Sequence, residues 1–262
     1  AVCKFAYRKS WLPFEKFNTP EIKINEIVRR DTFTIEEYRV FYTRLRGWVK
    51  DSYDDHEKHY RKMIQDFILL KTNTFMRFGE ITQLKWHMCK TYNFKGERLI
   101  EISLPSTITK NRKTRQILTN GGQYLDRLKS YSKWIQPDDY VFSNPKINKK
   151  LSKYTFYKYW YEILDVTNSR ELRNPKGGYK TLTFYALRHL GITFRLMSGV
   201  SIYEVSVLAG TDVRHIENHY SHLDITKMRD TALKTFKTTK DGAVVPFSKD
   251  DRLMFIDTPE LN

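Results

Sequence analysis

The hydrophobic pattern of this chain changes period once, and that change limits the folds it can adopt. Over most of the length apolar residues recur every three or four positions, which is typical of helices packed on a core. From Arg98 to Leu104 the pattern alternates, with Ile100 and Ile102 on one face, and this predicts a half-buried strand. Residues 116–118 are its predicted partner. The sequence therefore indicates an α+β fold, mostly α-helical, with one small antiparallel β-sheet.

The predicted helices have recognisable ends. The first begins after Thr34, where TIEE offers a capping box. A second carries Ile64, Phe67 and Leu70 towards MRFGEITQLKW. Further helices are predicted at about residues 121–134, 152–165, 184–198, 203–209 and 213–221, with Gly199 and Gly210 at C-terminal caps.

The charge balance favours a polyanionic partner. The 262 residues include 46 lysines and arginines against 30 aspartates and glutamates, a formal net charge of +16 at pH 7. Such an excess is typical of proteins that bind nucleic acid. No apolar run is long enough to span a bilayer, so no membrane partner is expected. Cys3 and Cys89 lie far apart, which argues against a disulfide framework and fits a reducing, cytoplasmic location.

Both ends of the chain are predicted to lie outside the main domain, which is expected at residues 31–237. Residues 1–30 contain two prolines and no sustained period, and an irregular linker is expected there. The segment DITKMRDTALKTF, residues 224–236, is predicted to form a short helix, and residues 238–262 a loosely ordered tail.

Three basic segments are candidates for a functional site. In RFGEITQLKW, Arg77 and Glu80 lie one helical turn apart, which alone is an ordinary solvated pair. The segment ITKNRKTRQI forms the turn between the predicted strands and alone is a surface hairpin. In TFYALRHLGITF, Arg188 and His189 lie among apolar residues, where a charge needs a buried partner or a bound anion.

A fourth segment, TDVRHIENHYSHLD at residues 211–224, holds three of the seven histidines around Tyr220. His215 and His219 are four apart and could share a helix face as zinc ligands. Because a third and a fourth ligand are missing, no metal is expected. The alternative is an amphipathic helix that carries a half-buried tyrosine.

Together these residues have the chemistry of phosphoryl transfer without a metal. Arginine binds two non-bridging phosphate oxygens and stabilises the charge that builds in the transition state. A lysine can protonate a leaving oxygen, and a tyrosine hydroxyl can take the phosphate covalently. The sequence has no acidic cluster that would hold magnesium.

The order and spacing of these residues resemble the catalytic domain of the tyrosine recombinase, or phage integrase, family over about residues 31–237. The family motif Arg-x-x-Glu-Leu/Ile-x-x-Leu-x-Trp is matched from Arg77 to Trp86. Its hairpin pattern Lys-x-x-Lys-x-Arg-x-Val is matched from Lys110 to Ile117. Its His-x-Leu-Arg-His box falls on residues 185–189, and its Leu-Gly-His box on residues 209–211. The nucleophile position falls on Tyr220, nine residues after Thr211.

Two positions depart from the family pattern. Tyr185 stands where the family usually has the first histidine of the box, as in the hairpin telomere resolvases, which it resembles at this position. Thr211 stands where the family has histidine or tryptophan, and it keeps a hydroxyl but loses the bulk that packs against the nucleophile helix.

The resemblance implies a role for each residue. Arg77 and Arg188 would clamp the phosphate, with Glu80 orienting Arg77, Lys110 acting as general acid and Tyr220 as nucleophile. His189 would support the site, and Tyr185 and Thr211 would be second-tier polar contacts. Further DNA contacts are expected from Arg112, Lys113, Arg115 and Arg214.

The function implied is a site-specific DNA recombinase or integrase that works through a 3′-phosphotyrosyl link, with no metal, nucleotide or other cofactor. Its expected partners are double-stranded DNA, further copies of the chain in a tetramer on DNA, and accessory proteins that bend DNA or set direction. The source would be a bacterium, an archaeon, a phage or another mobile element. Residues 1–30 would be the linker and the tail of an upstream core-binding domain. Two alternatives are a recombinase relic that only binds DNA and a type IB topoisomerase-like nicking enzyme.

Overall fold

The computed structural model describes residues 2–14, 31–175, 177–220, 234–238 and 244–248. Short 3-10 turns at Trp86–Met88 and Ser169–Glu171 accompany its helices and strands. The helices are α1 (Val2–Arg8), α2 (Ile35–Lys50), α3 (Asp55–Thr74), α4 (Phe78–Ile81), α5 (Gly122–Tyr131), α6 (Lys153–Val166), α7 (Phe184–Met197), α8 (Ile202–Ala209) and α9 (Val213–Tyr220). The strands are β1 (Cys89–Phe94), β2 (Glu97–Leu104), β3 (Arg115–Asn120), β4 (Lys234–Thr238) and β5 (Val244–Ser248).

Side-chain caps define where α2 and α3 begin. Thr34 accepts a hydrogen bond from the Glu37 amide at 3.2 Å, and the Glu37 carboxylate accepts one from the Thr34 amide at 2.7 Å, which confirms the predicted capping box. Asp54 caps α3 through the Glu57 amide. These bonds satisfy amides that have no partner within the first helical turn.

Strands β1, β2 and β3 form one antiparallel sheet in that order. Ile102 of β2 lies opposite Ile117 of β3, so the predicted hairpin is confirmed. Strand β1 was not predicted, because its residues CKTYNF do not alternate in hydrophobicity and none of them is buried. It is defined by backbone pairing with β2, where Cys89 lies opposite Ile102.

Helices α2, α3, α5, α6 and α7 pack around a core rich in aromatic rings. The ring centroid of Phe67 on α3 lies 4.5 Å from that of Phe156 on α6 and 5.1 Å from that of Phe184 on α7. Helix α7 crosses α3 closely at Gly191, where a Cβ atom would lie 2.1 Å from the Thr72 carbonyl oxygen. A larger residue there would push the helices apart. This contact brings the part of α7 that carries the predicted arginine against the end of α3.

A smaller apolar cluster holds α8 and α9 against the molecule. Val205 and Ala209 of α8 pack with Ile216 and Tyr220 of α9 and with Phe75, which follows α3. Helix α9 is therefore anchored through its apolar face, and its last turn lies beside the end of α3.

The predicted fold class is confirmed, and the predicted helices agree within a few residues. Two predictions for the chain ends were wrong in part. Helix α1 lies in a segment predicted to be irregular, and β4 and β5 pair with each other where a helix end and a loose tail were predicted. Only five residues separate the two strands in the chain, and Asp241-Gly242 among them is a hairpin signal in the sequence that was missed. The other residues of the predicted short helix and tail lie outside the described residues. In the part of the chain that the structure describes, no helix is long and apolar enough to cross a bilayer.

Candidate active site

The turn between α3 and α4 presents Arg77 beside a carboxylate. The turn begins at buried Phe75, which has a left-handed φ of 54°. Arg77 precedes α4, and its Nη1 donates to Glu80 Oε1 at 2.9 Å. Its backbone amide donates to Glu80 Oε2, also at 2.9 Å. Glu80 is only 2% exposed, so it holds both the backbone and the guanidinium of Arg77 in place.

Arg188 reaches the same place from the core. It lies on α7, is 3% exposed, and donates through Nη1 to the carbonyl of Phe75 and through Nη2 to that of Ala209 at 2.8 Å. Arg77 Nη2 donates to the next carbonyl, that of Gly210, at 2.9 Å. The two guanidinium groups therefore meet at the C-terminal end of α8, where the helix dipole favours positive charge.

The charge state of Arg188 follows from this crowding. Burial, together with the charge of nearby Arg77, lowers the pKa of Arg188 to about 10. The group stays protonated at neutral pH. Two arginines held this close are a favourable site for an anion. An anion relieves their mutual repulsion and accepts hydrogen bonds from the N–H groups that have no other partner in the contacts described above.

Arg115 comes from β3 and turns towards the same carboxylate. Its Nη2 donates to Glu80 Oε2 at 2.9 Å. A Cβ atom at Gly210, which has a φ of 59°, would lie 1.7 Å from Arg115 Nη1, so only glycine leaves room for this side chain. Arg115 Nε is buried and has no hydrogen-bond partner among the described residues. The guanidinium of Arg115 is therefore held between Glu80 and the end of α8.

The loop between β2 and β3, residues 105–114, carries the predicted lysine. It is closed by a hydrogen bond from Thr109 Oγ1 to the Lys113 carbonyl at 2.8 Å, and the Arg112 amide donates to the Thr109 carbonyl at 3.2 Å. The side chains of Lys110, Arg112 and Lys113 are exposed. They are therefore accessible to a large polyanion.

A cavity of about 380 Å³ lies between this loop and the turn from α8 to α9. Its volume is sufficient for a phosphodiester group. Of the predicted residues, it is lined by Arg77, Glu80, Lys113, Arg115 and Thr211. The predicted residues Lys110, Tyr185, Arg188, His189 and Tyr220 are not among those that line it.

Tyr220 approaches the arginines from α9. It is 6% exposed, and its hydroxyl shares a hydrogen bond with Nδ1 of His189. The Tyr185 ring packs edge-on against His189, with 4.7 Å between centroids. Burial raises the pKa of Tyr220 well above its usual value, Tyr185 adds to the rise, and Arg188 opposes it. The hydroxyl therefore needs a proton acceptor in order to act as a nucleophile.

The last turns of α8 and the turn before α9 contribute residues that sequence reasoning missed. Ser206 and Asp212 line the cavity, and the Ser206 carbonyl accepts from the Thr211 amide at 3.1 Å. The Asp212 carboxylate accepts from the amide of exposed Arg214 at 2.8 Å. The signal for Asp212 was its place just before the predicted helix, where aspartate commonly caps.

His215 lies on α9, and its backbone amide donates to the Asp212 carbonyl at 3.1 Å. The side chain of His219 and all of His222 lie outside the described residues.

Solved structures with a similar fold are DNA recombinases. A structure of the XerH site-specific recombinase bound to palindromic difH substrate matches with a TM-score of 0.58 and 19% identity, covering 83% of this chain and 59% of that one. A lambda integrase dimer bound to a core site matches at 0.52 and 17%, covering 75% and 62%. The Tn1549 transposon integrase with circular intermediate DNA matches at 0.54 and 14%, covering 86% and 73%.

At these identities the likeness establishes the fold alone, which is that of tyrosine recombinase catalytic domains. The sequence profile of the phage integrase family matches residues 49–227. The chain belongs to the phage integrase family. A comparison with curated protein sequences gives no significant match. The chain spans about three-fifths of the XerH recombinase chain that it resembles.

Proposed function

We propose that this chain is the catalytic part of a site-specific DNA recombinase that breaks and rejoins DNA through a 3′-phosphotyrosyl intermediate, without metal or ATP. The observation that carries the proposal is the convergence of Arg77, Arg188 and Tyr220 at the end of α8, from three separate elements. Family membership and the fold of DNA-bound recombinases support it.

In the proposed reaction the scissile phosphate binds between Arg77 and Arg188. Each guanidinium has five N–H donors, of which the contacts described above use only some, so others remain for two non-bridging oxygens. Arg115, which lines the cavity, would add positive charge to its wall. The phosphate would then be held before any bond changes.

In the proposed cleavage step, residues of this chain supply the nucleophile, the base and the acid. The phenolic oxygen of Tyr220 bonds to phosphorus while the bond from phosphorus to the 5′-oxygen breaks. The phenolic proton passes to His189, and Lys110 gives a proton to the departing 5′-oxygen. The new phosphotyrosyl diester retains the energy of the broken bond, so a 5′-hydroxyl from a partner strand can reverse the step. Glu80 keeps Arg77 in place throughout.

The proposed partner is double-stranded DNA. The net charge of +16 favours binding to a polyanion. The exposed loop residues Lys110, Arg112 and Lys113 would contact the phosphates on either side of the reacting one, and exposed Arg214 would extend this basic surface. A tetramer on two DNA sites, directed by accessory proteins, is part of the proposal, as is the assignment of residues 31–237 to the catalytic domain.

The test requires a DNA site, which the protein itself can select. The Tyr220→Phe variant, which should bind without cleaving, is used to enrich duplexes from a random library. The native chain is then incubated with a nicked form of the enriched duplex and analysed on a denaturing gel. The proposal expects a covalent adduct with the native chain and with Tyr203→Phe, an exposed tyrosine on α8, and none with Tyr220→Phe.

One alternative function is favoured by a specific observation. Tyr185 and Thr211 replace the usual histidines, and the Tyr220 hydroxyl is buried, which suits a relic that binds DNA without chemistry. Selection of a duplex without any adduct would support that reading and overturn the proposal. If adducts form and supercoils are relaxed without strand exchange between duplexes, the chain is a type IB topoisomerase-like enzyme.

A further inference from the structure

Lys71 is a buried lysine beside the candidate site that the proposed reaction does not use. It lies on α3, its side chain is fully buried, and its Nζ donates to the carbonyl of Met76 at 2.6 Å. Among the ion pairs of the described residues, none includes Lys71. A lysine without a carboxylate partner inside a core is unusual, because desolvation penalises the charged form.

The carbonyl that Lys71 binds belongs to the turn that presents Arg77. The Phe75 amide donates back to the Lys71 carbonyl at 3.1 Å, and the Phe75 carbonyl accepts from Arg188. The two consecutive carbonyls of this turn thus have different donors: the Arg188 guanidinium binds that of Phe75, and the Lys71 ammonium binds that of Met76. Met76 is fully buried, so water cannot replace the ammonium if it is lost.

The surroundings make this amine titrate near neutral pH. The pKa of Lys71 is lowered to about 7, chiefly by burial. The charges of Arg188 and Arg77 contribute to this lowering, and the charge of Glu80 opposes it. These charged groups come from α7, from α4 and from the turn between α3 and α4. An anion between the two arginines would add a negative charge and favour the protonated amine.

We propose that Lys71 is a positioning residue whose charge is coupled to occupation of the arginine pair. When a DNA phosphate binds, a proton from solvent is taken up by Nζ of Lys71, and the charged ammonium then holds the Met76 carbonyl and the backbone of Arg77 more firmly. By reciprocity, protonation of Lys71 strengthens phosphate binding. The inference rests on the proposed function in one respect, that Arg77 and Arg188 bind phosphate.

Proton uptake on DNA binding tests the coupling directly. Binding of a random-sequence 24-base-pair duplex is measured by calorimetry at low salt and pH 8, in buffers of different ionisation enthalpy. At this pH an ordinary histidine is neutral before binding. The native chain and Lys58→Met, an exposed lysine on the same helix, should take up about half a proton more per chain than Lys71→Met. Equal uptake in all three would overturn the proposal.

A second variant guards against misfolding of Lys71→Met. Lys71→Arg keeps a permanent charge and a donor, so it should bind the duplex with uptake reduced by the same amount. Uptake by Lys71→Arg equal to that of the native chain would refute the role of Lys71. No DNA binding by any variant, including the native chain, would instead refute the proposed function, so the two failures are distinguishable.

Discussion

Nδ1 of His189 and the hydroxyl of Tyr220 share a hydrogen bond, although 31 positions separate the two residues in the chain. The contact joins α7 to α9. It lies beside Arg188, because Arg188 immediately precedes His189 in the chain. The family histidine positions are occupied by Tyr185 and Thr211, so His189 is the imidazole that the fold brings to the nucleophile. Four predictions test the roles of this and the neighbouring residues.

Replacing His189 with glutamine should slow single-turnover cleavage by about 10²- to 10³-fold, because glutamine can hydrogen-bond but is not a base at neutral pH. If Tyr220 is replaced by 3,5-difluorotyrosine, whose phenol is more acidic, the His189→Gln defect should become much smaller. His87→Gln, at a half-exposed histidine, serves as control. A variant that cleaves faster than the native chain would show that His189 restrains the tyrosine, and an undiminished defect with the acidic phenol would deny it the role of base.

Lys110→Ala should slow cleavage by about 10²- to 10⁴-fold, and a substrate with sulfur in place of the 5′-bridging oxygen should restore most of the rate, because a thiolate leaves without a proton. The matched variant is Lys113→Ala, since Lys113 lines the cavity and Lys110 does not. Rates on the oxygen and sulfur substrates are compared for both variants. If only Lys113→Ala is rescued, the general acid is Lys113; if neither is, proton donation comes from elsewhere.

Glu80→Gln should lower the free energy of unfolding at pH 7 by about 3 kcal/mol, because Arg77 and Arg115 lose their shared buried partner. Burial alone would raise the pKa of Glu80, but Arg115 and the hydrogen bonds from Arg77 outweigh it and hold the pKa below its usual value.

The sign of the pH effect follows from that lowered pKa. The contribution of Glu80 is complete above the unfolded-state pKa of about 4.3 and is lost as pH falls through the folded-state value. Urea unfolding at pH 7 and at pH 3 should therefore show a difference between native chain and variant that shrinks in acid. Glu36→Gln, at an exposed glutamate, should show no such difference. If the difference in unfolding free energy between the native chain and Glu80→Gln were the same at pH 3 as at pH 7, the lowered pKa of Glu80 would be contradicted.

Tyr185→His combined with Thr211→His should raise the single-turnover cleavage rate, because histidine can accept and donate protons near neutral pH whereas tyrosine and threonine do not. The gain should depend on pH with an inflection between about 6 and 7.5. The measurement is cleavage of a suicide substrate at saturating enzyme, with thermal unfolding followed in parallel. A folded double variant that is no faster would mean that Tyr185 and Thr211 belong to a working form of the site.

Local sequence pattern was sufficient to predict most of the helices, the β2–β3 hairpin and the family. The capping box at Thr34, the alternation at Ile100 and Ile102 and the glycine after α8 each act over a few residues, so pattern was sufficient to predict them. The spacing of the motifs from Arg77 to Tyr220 likewise lies in the chain order and identified the family without a structure.

Which side chains of the site meet depends on how the helices and the sheet pack. The pairing of the Arg115 guanidinium with Glu80, and its place beside Gly210, arise because β3 and the end of α8 pack together. Lys71 carried no signal within a helical pattern, since its burial depends on the approach of α7. The apolar cluster that packs α9 against α7 likewise brings Tyr220 to His189. Such contacts join residues far apart in sequence, so local propensity and spacing contain no information about them, and packing of the helices determines them.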